Sequence, residues 1–546
     1  MNTATHWHER FDLIVVGSGA SGLGAALSAA REGARVVVVE QSSLVGGASA
    51  FSGALLWVPV NPKAAALSIH DDRERALRYI AATCGGGHDA ERAAVYVEQA
   101  GPTCEFLEAA SPLRLRNTPY PDSFVEAEGG LAQGRHLEPA PFALRSLGAW
   151  RQRLRRPLIG SPLTSLEVKD SGLLWQFRRA LLRQLPRILW RGIGDRRPGG
   201  LALVGALLKG CLDAGVRIQL DSRVSGLQQD PQGRVVGVEL QTPQGALRWQ
   251  AGKGVILANG GFEWNPRRVR QHLPVELEML PTPPLANGDN LLLAEQAGAQ
   301  LENLDSYWHW PTGEVPGLHY EGRALGILSV PERSLPHSLW VNRHGRRFVN
   351  EASHNCSLAL EERDPASGEY RNLPAWAIFD DNFRQRYPVL LKAMPGSRDP
   401  DWLVGAPSLA ALAERIGVPA TALEASVARF NLFAADGQDP DFGRGSFAYD
   451  HFMGDPRSPN PNLGPLERAP YYALPVHPSA VGTRGGARTD GRGRVLRADG
   501  SIVPGLYAAG NAASGFFWRN MIGGGATLMP GLVFGRLAAL DALRQP

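Results

Sequence analysis

The feature that most restricts this chain lies in its first forty residues. Phe11 to Val16 (FDLIVV) is a short apolar, β-branched run, Gly17-Ser18-Gly19-Ala20-Ser21-Gly22 comes at once after it, and a helix-like LGAALSAAREG comes next. A second apolar run, RVVVVE, ends in Glu40, 18 residues after the last of those glycines. Strand, tight turn, helix and strand in that order predict the opening βαβ unit of a dinucleotide-binding α/β fold. Each residue type has a physical task. Gly17 permits the turn, Gly19 lets the backbone approach a pyrophosphate, and Gly22 lets the helix pack closely on the strand; the helix N-terminus offers N–H groups and the positive end of its dipole. Glu40 can accept hydrogen bonds from both ribose hydroxyls, and its charge disfavours a 2′-phosphate, so FAD or NAD is expected rather than NADP.

The segment after Glu40 separates FAD from NAD. Val45-Gly46-Gly47-Ala48-Ser49 and then Ser52-Gly53-Ala54 form a glycine- and serine-rich stretch suited to run alongside a pyrophosphate and a flavin. On these residues the sequence resembles the FAD-dependent fumarate reductase and succinate dehydrogenase flavoprotein superfamily, and more closely its 3-ketosteroid dehydrogenase branch. The likeness continues at Gly200-Leu201-Ala202-Leu203 before GVRIQLDSRVSGL, at the turn Asn259-Gly260-Gly261-Phe262-Glu263, at Asn287-Gly288-Asp289, and at Gly505 to Asn511 (GLYAAGN). It implies an α/β, Rossmann-like FAD-binding domain built from residues 1–279 and 466–546, with an α+β substrate (capping) domain, 280–465, inserted between. The Pro-rich segments 280–290 and 455–470 are plausible crossings or linkers.

The resemblance also implies which residues meet the cofactor. They are Gly17, Ser18, Gly19, Ser21 and Gly22 in the first turn, Glu40 and Gln41 after the second strand, and Gly46, Gly47, Ala48, Ser49, Ser52, Gly53 and Ala54 in the next stretch. Val224 would meet the adenine through its backbone. Ala258, Asn259, Gly260 and Asp289 come next, and Gly510, Asn511, Gly525, Thr527 and Leu528 complete the set. No histidine lies between Gly46 and Gly53 to attach a flavin, so noncovalent FAD is expected.

Removing two hydrogens from a carbon pair beside a carbonyl needs a hydride acceptor, which a flavin provides, a base for the other hydrogen, and donors aimed at the carbonyl oxygen. In the ketosteroid branch the protein's share falls to tyrosines and a backbone N–H, and here this sequence departs. Pro121-Asp122-Ser123-Phe124 stands for Pro-Asp-Tyr-Tyr, Asn355 stands at the tyrosine after Asn-Glu, and Met521-Ile522-Gly523-Gly524-Gly525 stands for Tyr-Pro-Gly-Pro-Gly. Only Gly525, with its N–H for a carbonyl, is kept. The fumarate reductase branch fits no better, because Gly482 takes the place of its catalytic histidine and Met521 that of its arginine.

Three residues are candidate substitutes: His354 as a base near neutral pH, Arg519 as a donor to a carbonyl or carboxylate, and Tyr120 as a relocated phenol. A hydrogen-bonded loop histidine, a salt bridge and a packed ring are their ordinary alternatives. Bulk retained at Phe124, Met521 and Trp518, with the run Tyr307-Trp308-His309-Trp310 and Tyr320 beyond it, suits a lipophilic substrate, although core packing explains such a run equally well. The expectation is an FAD-dependent dehydrogenase acting on a CH–CH bond next to a carbonyl in a ketosteroid-like substrate. A reductase of enones or unsaturated acids, with Arg519 on the carboxylate, and a flavin carrier without turnover are the alternatives.

Only one dinucleotide fingerprint is evident, so a quinone, another carrier or oxygen is expected to take the electrons. Charge is unevenly placed. The whole chain is +4, yet residues 145–197 hold twelve arginines and Lys169 against Glu167, Asp170 and Asp195, a net +10. Apolar residues interleave with arginine in LLWQFRRALLRQLPRILWRG, a pattern for helices lying on an anionic membrane surface or capping the fold with arginines snorkelling outward, interrupted at Pro186. Nucleic acid is disfavoured, since no recognition module accompanies the charge. Cys84, Cys104, Cys211 and Cys356 form no C-x-x-C pair, so no metal or cluster is expected and buried thiols are. MNTATHWHERFDLIVV lacks a leader pattern and no apolar run reaches roughly 18 residues, which makes a cytoplasmic, possible peripheral membrane protein the default.

Overall fold

The computed structural model describes residues 6–517 and 519–545 of the chain. Near-continuous Val and Ile runs such as Val36–Val39 belong in a parallel sheet covered on both faces, and they are found there. The order across the central sheet is Arg494–Leu496, Ile502–Ala508, Gly245–Leu257, Glu9–Val16, Val36–Val39 and Arg217–Gln219, with Arg223–Gln229 and Val235–Thr242 added to the long strand as an antiparallel meander. Four neighbours run parallel and in step: Val16 lies opposite both Val39 and Leu257, and Leu257 lies opposite Ala508. Their carboxyl ends therefore finish at one level. The loops starting at Gly17, Glu40, Ala258 and Ala509 open on the same edge, which is where open α/β sheets bind ligands.

Helices Ala20–Arg31, Gly199–Asp213, Met529–Arg544 and Ala90–Ala110 share one core with the outward side chains Leu13, Val15, Val36 and Val38. Small residues on the first helix permit that closeness: a Cβ on Gly24 would stand 3.0 Å from Leu532. On the opposite face Ile14, Val37, Val39 and Val255 pack with Val238, Trp249 and Leu293. A separate antiparallel sheet orders Ser338–Val341, Ala375–Asp380, Tyr471–Val476 and Val404–Ala406 around Trp340, Phe379, Phe383 and Tyr472. The fold is thus α/β, with a Rossmann-like sheet assembled from both ends of the chain and a mixed part between them. Strand Tyr471–Val476 pairs with that intervening part, a few residues past the expected return at 466.

Two segments differ from their sequence reading. In VNRHGRRFVNE, two short runs around a polar turn at Gly345 have the pattern of a hairpin, but only Ser338–Val341 is a strand; Arg347 is drawn inward to Glu351 and Asp439, both at about 3 Å, so the chain after Gly345 turns into the interior. Pro186 does not interrupt its helix, which runs from Phe177 to Gly194. The carbonyl it leaves unbonded belongs to Leu182, which is 72% exposed, where water can satisfy it. Trp518 lies outside the described residues. All four cysteines are buried.

Candidate active site

Loops from the aligned strand ends enclose a cavity of about 390 Å³. Gly17, Ser18, Gly19 and Ser21 line it from the first turn. Gly17 has φ +102°, and a Cβ there would come 2.5 Å from the Ala258 carbonyl oxygen. Gly22 lies beneath the cavity and not in it: a Cβ would sit 2.0 Å from the Gly17 carbonyl oxygen, so this glycine sets how closely helix and turn approach. No side chain caps the helix at Gly19. Its first-turn N–H groups are thereby left to an anion, apart from that of Ala20, which donates to Ser49 Oγ at 3.1 Å.

Glu40 is 5% exposed and holds two loops together. Its Oε2 accepts from Ser18 N–H at 3.1 Å and Ser18 Oγ–H at 2.6 Å, and its Oε1 from Ser42 N–H at 3.0 Å. Burial pushes its carboxyl above the usual carboxylate range, against these donors. Of a carboxylate's roughly four acceptor positions three are taken, leaving one for a ribose hydroxyl where the sequence suggested two. Gly46 likewise supports the site without lining it, donating its N–H to Ser18 Oγ at 3.0 Å.

The remaining expected residues come to the same cavity. Gln41, Gly47, Ala48 and Ser49 line it, as do Ser52, Gly53 and Ala54. Val224, Ala258, Asn259, Gly260 and Asp289 join them, Asp289 being held by a two-pronged ion pair with Arg223 at 2.6 and 2.7 Å. Gly510, Asn511, Gly525, Thr527 and Leu528 close it. A glycine-walled trough beside an uncapped helix, with a carboxylate one βα unit away, fits the diphosphate and ribose of FAD. Pro281 to Pro283 and Leu285 to Asn287 also contribute to the lining, where the sequence suggested crossings or linkers and, from Asn287 on, a loop near the flavin. Leu55, Phe51 and Glu263 carried no signal of their own.

Trp310, His354, Val481 and Met521 line the same cavity. His354 is buried, with its ring stacked on Tyr449 at 4.9 Å and edge-on to Trp310 at 5.1 Å. Its Nδ1 lies 2.5 Å from Ser123 Oγ, and among the described residues its Nε2 has no hydrogen-bond partner. Ser123 is placed by its neighbour. Asp122 accepts from Trp57 Nε1 at 2.8 Å, Leu131 N–H at 3.0 Å and Arg135 at 2.7 Å, which fixes the loop. Burial, with the Arg333 guanidinium next in weight, holds the His354 imidazole well below its ordinary pKa, so the ring is neutral. His136 and His309 are buried beside it and pushed down to about 3 by the same cause.

Arg333 grips the turn that carries His354. Its Nη1 donates to the carbonyls of Glu351, Ala352 and Ser353 at 3.3, 3.1 and 2.7 Å, and its guanidinium lies 4.9 Å above the Trp310 ring. Asn355, where the family has tyrosine, has a structural task instead: its Oδ1 accepts from Met521 N–H at 2.9 Å and ties the two loops. At Gly482, where fumarate reductases have their histidine, a Cβ would come 2.2 Å from Asn511 Nδ2, so a side chain there would require Asn511 to move. Gly525 has φ +90°, and a Cβ would meet the Leu55 carbonyl oxygen at 2.0 Å.

Two candidates are not brought to the cavity wall. Arg519 is drawn away by Glu361, whose Oε2 accepts from its Nη2. Tyr120 packs on Phe452 at 4.5 Å and His136 at 6.0 Å, and burial raises its phenol, which leaves it a packed ring. Among the described residues no group of three or more His, Cys, Asp or Glu is placed to hold a metal ion.

The FAD binding domain family matches residues 12–528. The 4-oxocyclohexanecarboxylate 2-dehydrogenase of Sinomonas cyclohexanicum is 38% identical, over 97% of this chain and 92% of that protein. The 3-oxosteroid 1-dehydrogenase of Mycobacterium tuberculosis (strain H37Rv) is also 38% identical, over 98% of this chain and 99% of that one. The crystal structure of 3-ketosteroid delta1-dehydrogenase from Sterolibacterium denitrificans, in complex with 1,4-androstadiene-3,17-dione, superposes with a TM-score of 0.91 at 33% identity, covering 98% of this chain and 99% of that one. The chain belongs to the FAD binding domain family, within the fumarate reductase and succinate dehydrogenase flavoprotein superfamily, and is an FAD-dependent dehydrogenase of CH–CH groups related to 3-ketosteroid and oxocyclohexanecarboxylate dehydrogenases.

Proposed function

We propose that the chain oxidises a lipophilic cyclic ketone at the CH–CH bond next to its carbonyl, with His354 as the proton acceptor. The observation that carries this reading is the buried, neutral imidazole in the cavity wall, held through Nδ1 by Ser123 and, among the described residues, without a hydrogen-bond partner at Nε2. FAD, when bound, supplies the hydride acceptor. With Nδ1–H donated to Ser123 Oγ, Nε2 bears the lone pair and takes the α-proton of the ketone. The Gly525 N–H is the donor assigned to the carbonyl oxygen, which stabilises the charge that gathers there as the proton leaves. Trp310, Val481 and Met521 keep that space apolar and dry. The trough from Gly17 to Leu528 seats the cofactor, and the division into 1–279 with 466–546 and an inserted 280–465 goes with this seating.

The ketone is a 3-oxosteroid or a smaller oxocyclohexane derivative, by likeness to the two groups of relatives. Reduction of unsaturated acids is disfavoured, because the arginine it would use is engaged by Glu361. A quinone or similar carrier reoxidises the protein. Helix Phe177–Gly194 exposes Leu182, Leu185, Leu189, Trp190 and Ile193, with Arg179, Arg183 and Arg187 on the same helix, a combination suited to peripheral contact with an anionic bilayer where lipophilic substrate and quinone collect. Among the described residues no helix is long and apolar enough to cross a membrane. The test is anaerobic mixing of the flavin-loaded protein with 4-androstene-3,17-dione and with 4-oxocyclohexanecarboxylate. Bleaching by one of them names the class; bleaching by neither, alongside reoxidation of reduced flavin by enoates, overturns the reading.

A further inference from the structure

The turn after strand Gly245–Leu257 carries a carboxyl that neither the expected cofactor set nor the proposed chemistry uses. Glu263 is 4% exposed and lines the cofactor cavity with Asn259 and Gly260. Among the described residues its Oε2 has no hydrogen-bond partner. The group is held in place by close packing: a Cβ on Gly261 would come 2.9 Å from this oxygen and 2.0 Å from Thr483 Oγ1, which itself accepts from Phe262 N–H at 3.1 Å. A buried carboxyl without a cation is favoured in its neutral form, which has an O–H to donate. Burial pushes Glu263 up to about 7, opposed only by the N–H groups of Glu263 and Thr483. Among the described residues no charged side chain bears on it from its own turn, from strand Ala480–Thr483 or from across the cavity. Arg484, next in sequence to Thr483, turns away to the carbonyls of Phe517 and Asn520.

We propose that Glu263 keeps its proton in the cofactor-bound state and donates it as a hydrogen bond to FAD, so that capture of FAD weakens as the pH rises. Two effects act in the same direction. Ionisation removes the donor, and it sets a negative charge in the wall of a cavity that must take a diphosphate. The ligand-free protein loses this proton around neutrality, whereas the bound protein, beside an anionic ligand, retains it to higher pH. Above neutrality each FAD bound therefore draws in one proton, and the Kd for FAD rises by up to about tenfold per pH unit. This rests on the seating of FAD in the proposed reading and on nothing about His354.

The experiment is FAD titration of the flavin-stripped full chain from pH 6 to 9, with Glu263→Gln and Glu263→Ala beside the wild type. Wild type should weaken by about a hundredfold over the upper part of that range at most. Glu263→Gln, which keeps a donor and cannot ionise, should bind with a flat profile, and Glu263→Ala should bind weakly and flatly. Calorimetry of the wild type at pH 8 in two buffers of different ionisation enthalpy should report uptake of close to one proton per FAD, and needs no variant. A flat wild-type profile, no proton uptake, or a glutamine variant that tracks the wild type would overturn the proposal. Failure of the wild type to bind FAD at any pH would instead overturn the seating itself.

Discussion

After burial, the charge of Arg333 should set the pH at which His354 stops working. Arg333 lies 4.9 Å from the Trp310 ring centre and His354 lies 5.1 Å from it, so the two cannot be more than about 10 Å apart. At that limit, and with an effective dielectric near 20, two unit charges repel by about 1.7 kcal/mol. The sign is fixed by which form carries charge. A cation nearby disfavours the imidazolium, so Arg333 helps hold His354 below its ordinary value, and removing the cation raises it. The neutral base should persist in the wild type well below pH 6.5, with the rate of anaerobic flavin reduction falling only under that point. In Arg333→Met the acid limb should move up by at least about one unit, whereas Arg333→Lys, which keeps the charge, should leave it near the wild-type position. The measurement is the rate of flavin bleaching by saturating ketone against pH, by stopped flow. An acid limb that stays put in Arg333→Met while turnover continues would refute the role given to His354 and its neighbour.

His354→Ala should reduce the bleaching rate by about 10²- to 10⁴-fold, the usual contribution of a positioned base. Ser123→Ala should cost less, about tenfold in kcat with KM nearly unchanged, because the ring stays stacked on Tyr449 and loses only its orientation; equal losses in both variants would count against the division of labour. Gly22→Ala should yield a protein without bound flavin and with an unfolding stability, measured by denaturant titration, lower by about 2–3 kcal/mol, since its Cβ would lie 2.0 Å from the Gly17 carbonyl. A double change, Leu189→Glu with Ile193→Glu, should abolish salt-sensitive cosedimentation with phosphatidylserine vesicles and leave bleaching by water-soluble ketone intact. If it does not, helix Phe177–Gly194 is a cap and not a membrane contact.

The cofactor trough was legible in the sequence because its chemistry is written in chain order. A pyrophosphate needs backbone approach, backbone approach needs glycine, and Gly17, Gly19 and Gly22 sit between a strand and a helix whose own patterns are strong. The parallel register then brings Gly260 and Gly510 to the same edge with no further information required. The reactive end was less legible because folding joins residues with no local signature. Ser123 and His354 are 231 positions apart, and Arg519 is removed from the cavity by Glu361, 158 positions away. Pro281 to Asn287 reads alike whether it links two parts or lines a cavity. Glu263 is a letter like any surface glutamate, and only burial gives it a task.

The departure from tyrosine at three positions is best understood through the free energy of making a base. A phenol titrates near 10, so a tyrosine base must first be ionised or assisted at neutral pH, whereas an imidazole titrates near 6.5 and already offers its lone pair. In the proposed reading, with His354 as the base and Ser123 at one of those positions, the difficulty moves: the ring must be kept from protonating while a proton is about to arrive. The surroundings answer that requirement with burial and with two buried arginines, Arg333 and Arg484, both of which disfavour the imidazolium. Among the described residues neither meets a carboxylate. Arg333 donates through Nη1 to carbonyls of the His354 turn, and Arg484 donates to the carbonyls of Phe517 and Asn520 with its guanidinium over the face of Trp308 at 3.8 Å, so no direct ion pair offsets their charge beside His354. The same lack of cancellation leaves Arg484 itself pushed down to about 9 by burial. Asn355 then has no need to be a base and holds Met521 in place, which is why returning tyrosine to position 355 alone should loosen the loop and not restore a phenol to the reaction.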